Sequence, residues 1–246
     1  MNGRLISIAK VSLSISAMCA LVAALAVATG LVDRDYRSWA GAARRCAATA
    51  AAKKAGESRT VDLAWSGSDV VKVRIPARVH YQPGPKPQAS VSGDAELVSH
   101  VQMRDGTLEW NTNDDSIDDC FPADSLVVQL SGPAVPAWTL NGSGKLDLSD
   151  LKQDTLRITT HGSSSVTAGG EVREVSLESS GSSRVDLGGL ATQQASTRIH
   201  GSATVDLAPR EDADISISGS AVVRLHGTVA RIRSQVSGSG QIKQVP

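Results

Sequence analysis

Apolar and polar residues alternate along the second half of this chain in a pattern that returns six times. Each copy is built around a Gly-Ser pair, and the glycines are separated by 20, 19, 20, 18 and 19 residues: Gly142, Gly162, Gly181, Gly201, Gly219 and Gly238. The residue four places after each glycine is aliphatic, and the next one is polar or charged. Alternation with a period of two is typical of a strand with one buried face. The pattern therefore predicts β-strands.

The spacing of the copies predicts how these strands are arranged. A repeat of about 19 residues cannot bury an apolar face alone and must stack on its neighbours. It also has no room for a crossover helix, so successive copies are expected to pair in parallel at about 4.8 Å. We therefore predict an all-β, right-handed parallel β-helix, or solenoid, with one copy per turn. Each glycine is expected at a corner that needs a positive φ or a missing Cβ.

Residues 59–135 show the same rhythm in a degenerate form. The stretch from Gly67 to Val73 matches the heptad of the repeat, and Trp65 falls on an inward position before it. We therefore predict one solenoid over 59–246, with irregular turns in 59–135 and regular Gly-Ser turns in 136–246. Trp65 and Trp138 are interpreted as core residues.

The N-terminal segment has the features of an export signal. Arg4 and Lys10 precede an uncharged stretch from Val11 to Val32, long enough for one hydrophobic helix across a bilayer. Ala26-Val27-Ala28 also fits a signal-peptide cleavage site. Residues 1–32 are thus a signal peptide or a membrane anchor, and residues 33–58 form an Ala/Arg-rich tether. Both alternatives place the body outside the cytoplasm, in the periplasm or at the cell surface, either released or anchored in the inner membrane.

The net charge of the body bears on its binding partners, and the cysteines of the chain bear on disulfide formation. The chain has 25 basic and 25 acidic residues. Without the first 58 residues, 17 basic and 22 acidic residues remain, a formal charge of 17 − 22 = −5. A mildly acidic body argues against a nucleic-acid partner, which requires a basic surface. In an oxidising compartment, a disulfide between Cys46 and Cys120 is a further hypothesis.

Three groups of residues are candidate metal-binding or catalytic residues. The acidic run 111–119 offers oxygen ligands for calcium, but it lacks EF-hand spacing, and a solvated loop is the preferred interpretation. His161 and His200 are expected on exposed corners two turns apart, too far to share a metal. The serine after each glycine is interpreted as a hydroxyl ladder that satisfies backbone groups at the corner.

Outward aspartates are the remaining candidates: Asp147, Asp186 and Asp206. Asp186 and Asp206 are expected on adjacent turns, and paired carboxylates are typical of glycan-cleaving enzymes. Basic residues occupy neighbouring outward positions, which favours a solvated charge ladder: Lys145, Arg184 and Arg224. We assign no catalytic residue, no metal site and no cofactor. A carbohydrate-active β-helix enzyme remains the alternative.

Three stretches resemble one bacterial family. They are SGDAELVSHVQMRDGTLEW at Ser92–Trp110, the strand Ser125–Leu130, and the serial Gly-Ser-x-x-Val-Asp-Leu copies. Over about residues 58–246 the chain resembles the putative auto-transporter adhesin, head GIN domain family. The resemblance implies an exported β-solenoid with no established reaction and no catalytic residues to carry over.

The sequence as a whole predicts a non-enzymatic cell-envelope protein that presents a solenoid surface for binding, adhesion or self-association. The expected partner is an envelope protein or glycan. A second copy is also expected to bind at the solenoid ends, because the last repeat carries no evident capping element.

Overall fold

The computed structural model describes residues 58–111 and 125–246. The predicted N-terminal hydrophobic helix, most of the tether, both cysteines of the proposed disulfide and all but the first residue of the acidic run lie outside these residues. One short helix, α1, spans Ala95–Ser99. No helix among the described residues has the length and apolar content needed to cross a membrane.

Strands account for most of the described chain. Their bounds are β1 Ser58–Asp62, β2 Val70–Val73, β3 Arg78–Pro83, β4 Gln88–Asp94, β5 Val101–Arg104, β6 Thr107–Trp110, β7 Leu126–Gly132, β8 Ala137–Gly142, β9 Lys145–Gly162, β10 Ser165–Gly181, β11 Arg184–Gly201, β12 Thr204–Gly219, β13 Val222–His226, β14 Arg231–Gly238 and β15 Gln241–Val245.

Each of the long strands β9 to β12 makes one turn of a solenoid. Two straight segments, 145–148 and 157–162 in β9, are separated by a bend where Asp150 has a φ of 53°. Successive long strands pair in parallel along both segments. These pairings confirm the predicted parallel β-solenoid, which has about five turns. Its right-handed sense stays a prediction.

The two segments of each turn belong to two runs of paired strands, which we call the front and back sheets. The front sheet contains, in order, β1, β4, β7, β3, the first segments of β9 to β12, β13 and β15. The back sheet contains β5, β6, β2, β8, the second segments of β9 to β12, and β14. The inward side chains of both sheets form one apolar core.

A single column of aliphatic side chains runs through the whole front sheet. Register pairs connect it across ten strands, in the spatial order Val61, Val91, Val128, Val79, Leu146, Val166, Val185, Val205, Val223 and Ile242. The eight from Val91 to Val223 are at most 1% exposed. Val185, Val205 and Val223 thus lie in one stack, as the repeat predicts.

Glycine is required at the corner for two reasons. The six repeat glycines have φ between +94° and +133°, a region that side chains disfavour. A Cβ on Gly201 would also lie 2.5 Å from the carbonyl oxygen of Gly181 in the preceding turn. The corner is narrow as well, because the residue two places after each glycine is small and, in Ser164, Ser183, Ala203 and Ala221, buried.

The first part of the chain extends both sheets in a different order. β4 pairs antiparallel with β1 and β7, and β5 pairs antiparallel with β6. The heptad match at Gly67 is misleading about register. Val71 pairs with Trp138 in the back sheet, and it is Val79 that continues the column above Leu146. A local heptad cannot distinguish the two sheets, since both alternate with the same period.

Hydroxyl groups interrupt the apolar interior near the corner. Thr160 donates to Ser179 at 3.1 Å and lies 3.3 Å from Ser183, and all three residues are buried. The hydroxyls of Ser164 and Thr197 are buried without a hydrogen-bond partner among the described residues. An unpaired buried hydroxyl loses its hydration without replacement, which costs about 1–3 kcal/mol.

The corner glycines give a first prediction. Gly201→Ala should lower the free energy of unfolding by more than Gly142→Ala. Both residues have a positive φ, but a Cβ on Gly142 has no atom within 4 Å. Strain common to both costs about 1–2 kcal/mol, and crowding should add about 1–3 kcal/mol at Gly201 alone. Urea unfolding measures both, and equal losses would contradict the close stacking of the corners.

The buried hydroxyls give a second prediction, in which alanine substitutions at two equivalent serines change the stability in opposite directions. Ser164→Ala should stabilise the fold by about 1 kcal/mol, because it removes an unpaired polar group. Ser183→Ala should destabilise it by about 1 kcal/mol, because it removes a paired one. Alanine already occupies this position as Ala203 and Ala221 in later turns. Thermal unfolding of both variants measures the effect, and loss of stability in Ser164→Ala would refute the interpretation.

Candidate functional site

A column of polar side chains runs along the outside of the front sheet. It contains the residue after each member of the aliphatic column, or before it in the antiparallel strand β4, in the spatial order Asp62, Ser90, Gln129, His80, Asp147, Thr167, Asp186, Asp206, Arg224 and Lys243. Neighbours in such a column are separated by about 4.8 Å, the spacing of paired strands. The chemistry of the outer front face is therefore set by which residue each strand places here.

The candidate carboxylates lie in this column, and their neighbours contact them. Asp186 and Asp206 occupy adjacent turns, as predicted. Asp206 accepts a hydrogen bond from Arg224 at 3.1 Å and pairs with His226 at 2.9 Å. Asp186 accepts from the backbone N–H of Gly188 at 3.0 Å. These contacts favour the predicted charge ladder over a catalytic carboxylate pair.

His226 is a residue that the sequence analysis missed. It lies two places after Arg224, so both side chains point outward from β13, beside Asp206 of β12. A second histidine, His80, lies 3.3 Å from Asp147 at the other end of the regular turns. The sequence did contain a signal for this contact, because residues two apart on a strand, such as Arg224 and His226, point to the same face.

The remaining candidates are placed as follows. His161 and His200 are exposed on the back sheet and separated by Ser180 of the intervening turn. No cluster of three or more histidine, cysteine, aspartate or glutamate side chains within 58–111 and 125–246 is arranged to hold a metal ion.

The serine after each repeat glycine contributes through its backbone. The N–H of Ser202 donates to the carbonyl of Gly181 at 2.9 Å, and Ser163, Ser182 and Ser220 make the same bond. The predicted hydroxyl ladder is wrong, since the serine side chains are exposed and their hydroxyls form no hydrogen bond among the described residues. The amide suffices because the stacked turns bring it directly beside the preceding carbonyl.

A concavity on the outer face of the front sheet is the candidate binding site, and we call it the polar groove. It lies where β4, β7 and β3 adjoin the first regular turn, and it encloses about 560 Å³. Its lining is Asp62, Leu63, Trp65, His80, Tyr81, Gln82, Pro87, Gln88, Ala89, Ser90, Gln129, Leu130, Ser131 and Ser149. Most of the outward side chains here are amides and hydroxyls.

Four of the groove side chains have unused hydrogen-bonding capacity. Those of Gln88, Ser90, Gln129 and Ser131 form no hydrogen bond within the described part of the chain. Gln82 differs, because its amide donates to Asp150 at 2.8 Å. The groove thus presents free amide and hydroxyl groups beside Gln82, whose amide is already hydrogen-bonded.

Buried aromatic residues support the floor of the groove. The Tyr81 hydroxyl donates to the carbonyl of Pro133 at 2.7 Å, and its ring lies 5.2 Å from that of Trp138. Burial raises the pKa of the Tyr81 phenol, so it remains a neutral donor at physiological pH. Trp138 is 1% exposed, which confirms its core position. Trp65 is only half-buried, packing on the core while lining the groove.

Sequence reasoning missed the groove because its members come from distant parts of the chain. Gln88 and Ser90 lie on β4, His80 on β3, and Gln129 and Ser131 on β7. Each alternates with buried residues and reads locally as an ordinary outward position. Only the placement of β7 between β3 and β4 brings them together.

A second concavity lies on the bends of the regular turns. It encloses about 530 Å³ and includes Lys152, Asp154, Glu171, Arg173 and Arg210. Arg173 forms ion pairs with Asp154, at 3.8 Å, and with Glu174. Charges of both signs close together largely neutralise one another, so this surface resembles a solvated charge network more than a binding site.

Comparison with known proteins agrees with the fold. The model of the family described as putative auto-transporter adhesin, head GIN domain, matches residues 69–244. The chain belongs to this family. No curated protein matches it by sequence.

Two solved structures resemble this GIN domain protein. A putative adhesin from Bacteroides fragilis has a TM-score of 0.56 at 15% identity, covering 77% of this chain and 97% of its own. A putative lipid binding protein from Parabacteroides distasonis has a TM-score of 0.50 at 18% identity, covering 78% and 98%. At such low identity the likeness shows a shared fold.

Proposed function

We propose that this GIN domain protein is a non-catalytic, exported binding protein of the cell envelope, and that its polar groove holds a neutral segment of an envelope glycan. One observation carries the proposal. Free amide and hydroxyl side chains are gathered in a concavity of about 560 Å³, while on the regular part of the same outer face Asp206 already contacts Arg224 and His226.

The chemistry of the groove fits a sugar. A glutamine amide both donates and accepts hydrogen bonds, as a sugar hydroxyl does, so Gln88 and Gln129 can each satisfy a hydroxyl of the ligand. Leu63 and Trp65 offer apolar surface for the C–H groups of a sugar ring. The lining also lacks a basic cluster of the kind that phosphate recognition uses, its one basic side chain being His80, already beside Asp147.

Binding is better supported than hydrolysis. The two aspartates of the enzyme alternative lie on the regular turns, apart from the groove lining. Asp206 forms an ion pair with Arg224 and a hydrogen bond with His226, and a general acid or base has to be free to exchange a proton with its substrate. The family's adhesin description agrees with a binding role.

The groove gives a third prediction. The full chain should bind envelope polysaccharide from the producing cell, or one of the neutral probes maltohexaose, cellohexaose and chitohexaose, in isothermal titration calorimetry. Gln129→Ala and Gln88→Ala should each weaken binding about two- to twelvefold, the loss of one hydrogen bond of about 0.5–1.5 kcal/mol. Gln194→Ala, an exposed glutamine outside the groove, is the matched control.

Two results would contradict this function. Equal affinity of all variants for the glycan would show that the glycan binds outside the groove. If no glycan binds, the proposal that the ligand is a glycan is wrong. Release of reducing sugar ends that disappears in the double variant Asp186→Asn, Asp206→Asn would instead support the enzyme alternative.

A further inference from the structure

The last turn of the solenoid exposes residues whose equivalents in the preceding turn are buried. Ile232 and Val236 of β14 are each 43% exposed, although their register partners Ala213 and Ile217 of β12 are at most 2% exposed. Among the described residues, no strand pairs with the free edge of β14. An apolar strip and an unpaired row of backbone groups therefore coincide on one strand.

β14 has few of the features that keep edge strands from pairing. Proteins protect such edges with charged side chains, proline, a bulge or an inward-pointing charge, and of these β14 has only the two outward arginines Arg231 and Arg233. The strand Arg231–Gly238 contains no proline, and its pairing with β12 continues without a register shift from Asp212 to Gly219. Its inward residues are the uncharged Ile232, Ser234 and Val236, and its arginines point outward. Two ion pairs with Asp212, from Arg231 at 2.8 Å and Arg233 at 3.7 Å, hold the strand in place.

The opposite end of the front sheet is different. There α1 packs against β1 and β4, and it buries Leu97 and Val98. Asp94 accepts from the N–H of Glu96 at 3.1 Å and so caps the helix. At the opposite end of the back sheet, to which β14 belongs, β5 pairs only with β6 within the described part of the chain. A head-to-tail contact would therefore join two different edges, whereas the sequence of β14 matches an identical edge.

We propose that two copies of this chain pair edge to edge through β14, in an antiparallel arrangement about a two-fold axis at Ser234. The sequence of the strand is self-complementary in this register. Ile232 of one copy lies opposite Val236 of the other, so each copy covers the apolar strip of its partner. Arg233 lies opposite Gln235, and Arg231 lies opposite Ser237, so no arginine faces an arginine. A two-fold pairing closes on itself and yields a dimer.

The test measures the mass of the full chain by sedimentation equilibrium across a concentration series. The native chain should dimerise reversibly. Ile232→Glu and Val236→Lys, introduced singly, should each weaken the dimer at least tenfold, because each places a charge opposite an apolar residue. Val70→Lys, at another exposed apolar position that is 39% accessible, should leave it unchanged.

The double variant Ile232→Glu, Val236→Lys tests the register itself. The introduced glutamate of each copy then lies opposite the introduced lysine of the other, so dimerisation should be restored. Circular dichroism checks that every variant stays folded, as expected for exposed positions. A native chain that remains monomeric, a dimer insensitive to both single variants, or a double variant that fails to recover would each overturn the proposal.

Discussion

Close stacking of successive turns is the constraint on which this structure depends. A single turn of this solenoid has too little apolar surface to fold alone, so each must cover the next. Backbone hydrogen bonds set the distance between turns, and the glycine at the corner permits it. A Cβ on Gly181, Gly201 or Gly219 would lie 2.4–2.5 Å from the carbonyl oxygen of the preceding glycine. The aliphatic column from Val61 to Ile242 can remain continuous only because the corners do not hold the turns apart.

The same constraint determines where a binding site can form. On the regular turns the outward residues lie in straight columns, and oppositely charged neighbours such as Asp206 and Arg224 pair across one strand spacing. On the front face, the concavity with free amide and hydroxyl groups lies where this regularity ends. It occurs where β7 enters between β3 and β4 and the pairing changes from parallel to antiparallel. The polar groove lies at this boundary.

The repeat in the sequence was sufficient to predict the regular turns. Period-two alternation identified the inward column, and the Gly-Ser spacing identified the corner, because both are local consequences of stacking. The groove could not be predicted this way. Gln88, Gln129 and His80 become neighbours through long-range pairing, and outward positions are little constrained by the core. Register in the first part failed for a related reason, since Val71 and Val79 are both inward valines and nothing local assigns each to its sheet.

Removal of one complete turn tests the stacking account most directly. Deletion of residues 182–201, the 20 residues that follow Gly181 through Gly201, joins two equivalent corners. The account predicts a chain that keeps its β-sheet circular dichroism and unfolds cooperatively at a lower temperature, whereas deletion of the half turn 182–190 abolishes folding. Loss of cooperative unfolding in the full-turn deletion, or retention of a native-like fold in the half-turn deletion, would contradict it.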